Sequence, residues 1–144
     1  MKLKSTDFNH KEMIPSRFTC DGEDISPYLA WNEAPEETKS FALIVDDPDV
    51  PMGTWVHWLV CDIPPNTQEI PQNGVPLEAR QVKNDFGKQE YGGPCPPSGV
   101  HRYFFKLYAL NKEKLESTDK KAFYREVMAH KIDEAVIIGK YSRR

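Results

Sequence analysis

Four side chains in this sequence have the types and setting to do chemistry together: Asp47, His57, His101 and Tyr103, with Cys95 beside them. His101 and Tyr103 stand two residues apart in an apolar run, so in a strand they share one face. They follow Tyr91-Gly92-Gly93-Pro94-Cys95-Pro96-Pro97-Ser98-Gly99-Val100, whose three glycines and three prolines forbid a helix and predict a shaped loop with free amides. Two imidazoles, a phenol and the N–H groups of such a turn can together donate to phosphate oxygens. The carboxylate of Asp47 repels a bare phosphate, so it must either hold a histidine as a donor or meet a cation carried by the ligand. The set predicts a small anion pocket for a phosphate-bearing ligand, and a zwitterion such as phosphoethanolamine satisfies both signs.

Other chemistries fit less well. A histidine alone on a strand face is ordinarily a hydrogen-bonded core residue; two of them, each beside a proline-rich loop, point to a site. Two histidines and an aspartate also form a ligand set for non-haem iron or catalytic zinc, but the local His-x-Asp or His-x-x-x-His spacing is missing, so no metal is assigned. Cys95 lies between two prolines, with no helix N-terminus to lower its pKa, and is expected to pack rather than attack. Nucleotide-binding glycine motifs and the G-x-S-x-G elbow are missing too. No catalytic residue and no cofactor is therefore assigned. Two alternatives remain open: a hydrolase using Asp47 and His57 as an oriented general base, and a protein-interaction module with a vestigial pocket.

The positioning elements read as mainly β. Ser40 to Val45 is an apolar strand stopped by Asp46-Asp47-Pro48-Asp49-Val50-Pro51, and alternation carries the row Phe41, Leu43, Val45 on to Asp47. Thr54 to Ile63 reads as a second central strand, with Trp55, His57, Leu59 and Cys61 on one face and Val56, Trp58 and Val60 on the other. The short link between the two strands makes Asp47 and His57 near neighbours. Residues 66–90 are turn-rich and predict a surface excursion with short strands. His101 to Leu110 supplies a third long strand. Ser117-Thr118-Asp119 opens a helix over Lys120 to Lys131, and Ala135 to Tyr141 closes the chain as a strand. Residues 1–40 contain only short extended pieces between turns, with Trp31 expected in the core.

Composition limits the class. A chain of 144 residues is most simply one domain, able to bury a core without metals or disulfides. Cys20, Cys61 and Cys95 are far apart and odd in number, with no C-x-x-C, so no disulfide framework is expected and a reducing compartment is the default. With 19 basic and 22 acidic residues spread along the chain, there is no basic stripe for nucleic acid. No apolar run reaches the ~18 residues of a membrane span and the N-terminus lacks a signal-peptide core, so stable membrane insertion is not expected and the location expected is cytoplasmic.

Two long motifs then resemble a known family. Asp47-Pro48-Asp49-Val50-Pro51 with Gly53-Thr54-Trp55-Val56-His57-Trp58, and later Tyr91 to Tyr103, are similar to the phosphatidylethanolamine-binding protein family, in particular its short prokaryotic, Raf-kinase-inhibitor-like branch. Cys20-Asp21-Gly22-Glu23-Asp24-Ile25-Ser26-Pro27 and Gly139-Lys140-Tyr141-Ser142-Arg143 extend the resemblance over nearly the whole chain. It implies a sandwich of packed antiparallel sheets with one or two short peripheral helices and a pocket at one end. By motif, the pocket residues are Asp47, His57, Gly93, Pro94, His101 and Tyr103. The resemblance also implies a noncatalytic binding or regulatory role, with a kinase or protease as a protein partner, and favours a homodimer. The chain ends soon after Tyr141, without room for the additional C-terminal helix of the animal members, so their inhibitory activities do not carry over directly.

Overall fold

The apolar runs become strands because each has a core on at least one side. In the computed structural model, which describes residues 1–143, they form two antiparallel sheets. The smaller contains β1 (Lys2–Lys4), β2 (Leu29–Asn32) and β5 (Glu69–Ile70), in the order β1-β2-β5. The larger contains β3 (Ser40–Val50), β4 (Gly53–Ile63), β6 (Arg80–Val82), β7 (His101–Leu110) and β8 (Lys131–Tyr141), in the order β6-β4-β3-β7-β8. One helix, α1 (Lys120–His130), precedes β8 directly.

β3 is apolar on both faces because it lies between two cores. Phe41, Leu43 and Val45 join Leu3, Trp31 and Ile70 of the small sheet in one buried cluster. Ala42 and Ile44 join Phe123 and Val127 of α1 in the other. The layers are thus small sheet, large sheet and helix, and the expected mainly β sandwich is what forms. α1 starts where the sequence predicts, its N-cap Asp119 accepting a hydrogen bond from the Ala122 N–H. Trp31 is buried, as expected.

Two features differ from the sequence reading. β3 does not stop at Val45: it continues through the acids, with Asp46 opposite Val56 and Asp47 opposite Trp55. The carboxylates tolerate burial because each is paired. Asp46 accepts from Lys106 Nζ at 2.7 Å and Tyr124 Oη at 2.6 Å on the helix side, while Asp47 faces the other way.

The second difference is a disulfide. Cys20 and Cys95, 75 residues apart in sequence, are bonded with their Cα atoms 5.5 Å apart, so the expectation of an unstapled chain and a merely packing Cys95 is corrected. Sequence spacing misleads here because the fold lays the 18–24 turn against the 91–95 loop. Tyr91 Oη donates to the Phe18 carbonyl at 2.7 Å, Cys20 N–H to the Pro94 carbonyl at 3.1 Å, and Gly93 N–H to Asp24 Oδ1 at 2.8 Å. A Cβ on Gly93 would run into Asp24 and the Phe18 carbonyl, which is why glycine occupies this crossing. Cys61 remains a free, buried thiol, and burial pushes its pKa up to about 12.

Candidate functional site

β7 delivers His101 and Tyr103 to one face, as alternation requires, and β3 lies beside it. His101 Nδ1 donates to Asp47 Oδ2 at 2.6 Å, with both side chains buried. Asp47 Oδ1 accepts the Asp49 N–H at 2.8 Å, closing a small turn that returns the chain towards β7. There Asp49 takes the Arg102 backbone N–H and both Nε and Nη2 of its guanidinium, at 2.9, 3.0 and 2.8 Å. That guanidinium holds the Asp49 carboxyl below its ordinary pKa. The bidentate pair fixes the acidic turn from outside; it does not line the cavity.

His57 reaches the same place by a different device. Val45 pairs with Trp58 and Asp46 pairs with Val56, so His57 is the extra residue of a β-bulge in β4. Strict alternation groups His57 with Leu59 and Cys61. In the fold Val56 joins those two on the helix side, and the bulge turns His57 onto the opposite face, edge-on to the Tyr103 ring at 5.2 Å. The sequence expectation for this face is therefore corrected. His57 Nδ1 donates to the Gly92 carbonyl at 2.7 Å, and Asn84 Nδ2 ties the His57 carbonyl at 2.8 Å. Burial lowers the His57 pKa, against the opposing influence of the Gly92 carbonyl and Asp47.

Asp47, His57, His101 and Tyr103 line one cavity of about 360 Å³. Its walls are apolar: Val50, Pro51 and Met52 from the β3–β4 hairpin, Trp55 and Phe86 packed edge to face, and Cys95, Pro96 and Pro97 from the loop. Tyr103 Oη is buried with no hydrogen-bond partner. Gly93 and Pro94 do not line the cavity; they lie behind it, where they hold the loop to the 18–24 turn. Sequence reasoning missed Trp55 and Phe86 as walls. The signal for Phe86 was a large apolar residue among turn residues.

No group of three or more His, Cys, Asp or Glu side chains suited to an ion occurs among the described residues. Asp47 spends both oxygens on His101 and Asp49, and His57 spends Nδ1 on a carbonyl. Asp47 orients His101, not His57 as the general-base alternative supposed.

The fold is thus a two-sheet sandwich with a helix on its outer face and an apolar-walled cavity lined by two histidines, an acid and a tyrosine. Residues 4–142 match the family model for phosphatidylethanolamine-binding proteins, and the chain belongs to that family. It is 49% identical over 150 residues to a UPF0098 protein of Methanothermobacter thermautotrophicus, covering 99% of each chain, and 46% identical to one of Aquifex aeolicus, covering 99% of this chain and 89% of that one. Among solved structures, E. coli YbcL, a member of the mammalian PEBP family, superposes with a TM-score of 0.94 at 34% identity, covering 99% of this chain and 98% of that one. A putative phosphatidylethanolamine-binding protein homologue from Chlamydia trachomatis gives 0.92, also at 34% identity, covering 99% and 97%.

Proposed function

We propose that the chain is a noncatalytic binding or regulatory protein whose cavity holds a phosphate-bearing ligand: a phosphorylated small molecule, a phospholipid headgroup such as phosphoethanolamine, or a phosphorylated side chain. The observation that carries this reading is Tyr103 Oη, a buried donor with no partner beside two imidazoles. Burial, with Asp47 nearby, raises the Tyr103 pKa, so the phenol stays protonated and able to donate. Buried polar groups ordinarily have partners, and an oxyanion supplies one. The apolar walls suit the carbon-bearing part of such a ligand. Family membership supports a binding role, and regulation of a kinase or protease partner would act through occupancy of this cavity.

No helix among the described residues is long and apolar enough to cross a membrane. The expectation of a reducing compartment rested on unpaired cysteines and loses that support with Cys20 and Cys95 bonded.

Calorimetric titration of the protein and of His101→Ala with phosphoethanolamine and inorganic phosphate tests the reading. Saturable binding that falls at least tenfold in the variant is expected. Equal or absent binding in both proteins removes the assignment, and phosphomonoester turnover that vanishes in His101→Ala would turn it towards a hydrolase built on the Asp47 and His101 pair.

A further inference from the structure

We propose that the cavity takes up its oxyanion together with one proton, so that its preferred ligand class is the phosphomonoester, which can share a proton with an imidazole. This rests on the phosphate-binding reading and specifies how that site recognises charge.

No described lysine or arginine lines the cavity. The Arg102 guanidinium is engaged by Asp49 outside it. The hydrogens of the two imidazoles are already assigned by their partners. The Gly92 carbonyl can only accept, so His57 Nδ1 carries the hydrogen of the neutral ring. The Asp47 carboxylate also receives the Asp49 N–H, which marks it as an acceptor for His101 Nδ1–H. Both Nε2 atoms are consequently lone pairs in the neutral rings. Neither accepts a hydrogen bond from a protein donor, and both rings line the cavity. A phosphate dianion entering here faces two lone pairs and a carboxylate, with the Tyr103 O–H buried in the cavity wall beside them. One added proton, shared between a phosphate oxygen and an Nε2, converts a repulsive contact into a charge-assisted hydrogen bond.

Carboxylates surround the two rings. His57 faces Asp47 of β3, Tyr103 of β7 and the Gly92 and Gly93 backbone, while Asp46 acts on it from the helix side of the sheet, where Lys106 holds it. His101 faces Asp47 and Asp49 of β3, has Arg102 next to it on β7 and pairs across to Tyr141 of β8, whose hydroxyl donates to Asp21 with Arg143 on the same carboxylate. On the loop side, Cys95 is bonded and Asp24 is held by the Gly93 N–H. Carboxylates therefore outnumber cations around the two rings, and a phosphomonoester titrates with a second pKa of about 6, close enough to imidazole to share the proton.

Phenyl phosphate, titrated calorimetrically into the intact oxidised protein in two buffers of different ionisation enthalpy, reads the proton directly. Uptake of about one proton per ligand at pH 8 is expected, with affinity falling roughly tenfold from pH 7.5 to 8.5, the slope of one linked proton. The double variant His57→Gln/His101→Gln keeps amide groups near the same positions but cannot be protonated, and its uptake should vanish. The wild-type measurement decides the matter even if that variant does not fold. Saturable binding with identical heats in both buffers and a constant affinity over that range overturns the proton linkage while leaving the phosphate site intact. No binding at any pH from 6 to 8.5 removes both.

Discussion

The Tyr103 hydroxyl is buried without a partner, and an unsatisfied buried polar group costs about 1–3 kcal/mol. Tyr103→Phe removes that group and little else, because the ring keeps its place in the core and against His57. The variant should be more stable than the parent by about 1 kcal/mol in urea unfolding while binding phosphate more weakly. A destabilised Tyr103→Phe would instead mean that the hydroxyl is satisfied within the protein. The opposite signs of the two effects separate a binding role from a packing role. Asp47 differs in kind: its carboxylate has partners on both oxygens, so its removal would disturb His101 and the Asp49 turn together.

At the scale of elements, the site depends on devices outside it. The β-bulge at His57 sets which face of β4 presents the imidazole, and the Asp49–Arg102 pair sets the acidic turn. On the far side of the large sheet, Glu126 of α1 fastens the 112–117 segment. It accepts the N–H groups of Glu116 and Ser117, at 3.0 Å each, and the Lys112 ammonium at 2.7 Å. Burial opposes the charge, yet the ammonium and the two N–H groups outweigh it and lower the Glu126 pKa from 4.5 to about 2. A depressed carboxyl pKa contributes stability that is full above the unfolded value and lost as pH falls through the folded one. Glu126→Gln should therefore cost roughly 2 kcal/mol at pH 7, with the gap to the parent narrowing between pH 4.5 and pH 2. Urea unfolding across that pH range checks it, and a gap that does not change with pH would show that the carboxylate charge plays no part.

For the molecule as a whole, the Cys20–Cys95 bond closes a long loop, and by chain-entropy reasoning such a crosslink stabilises by about 4 kcal/mol. In a domain of this size Cys20→Ser/Cys95→Ser should lower Tm by roughly 10 °C. Because Cys95 also lines the cavity, the same variant should loosen the Pro96–Pro97 wall and weaken phosphate binding. Thermal unfolding with and without a thiol reductant provides the comparison. A parent that melts at the same temperature in both would show that the hydrogen bonds between the 18–24 turn and the 91–95 loop hold that junction unaided.

Much of this was legible in the sequence. Local chemistry determined the three long central strands, the helix with its Asp119 cap, the shaped loop before His101, and the shared face of His101 and Tyr103, because periodicity and turn residues act over a few positions. The same alternation failed at His57, where one extra residue in β4 reverses every side chain beyond it, and a bulge leaves no mark in a sequence of otherwise apolar residues. The pairing of Asp47 with His101 and of Cys20 with Cys95, and the retreat of Gly93 and Pro94 behind the cavity, were decided by tertiary structure alone. Each joins residues more than 50 positions apart, and which of several chemically suitable partners meet depends on how the sheets and loops close over the core.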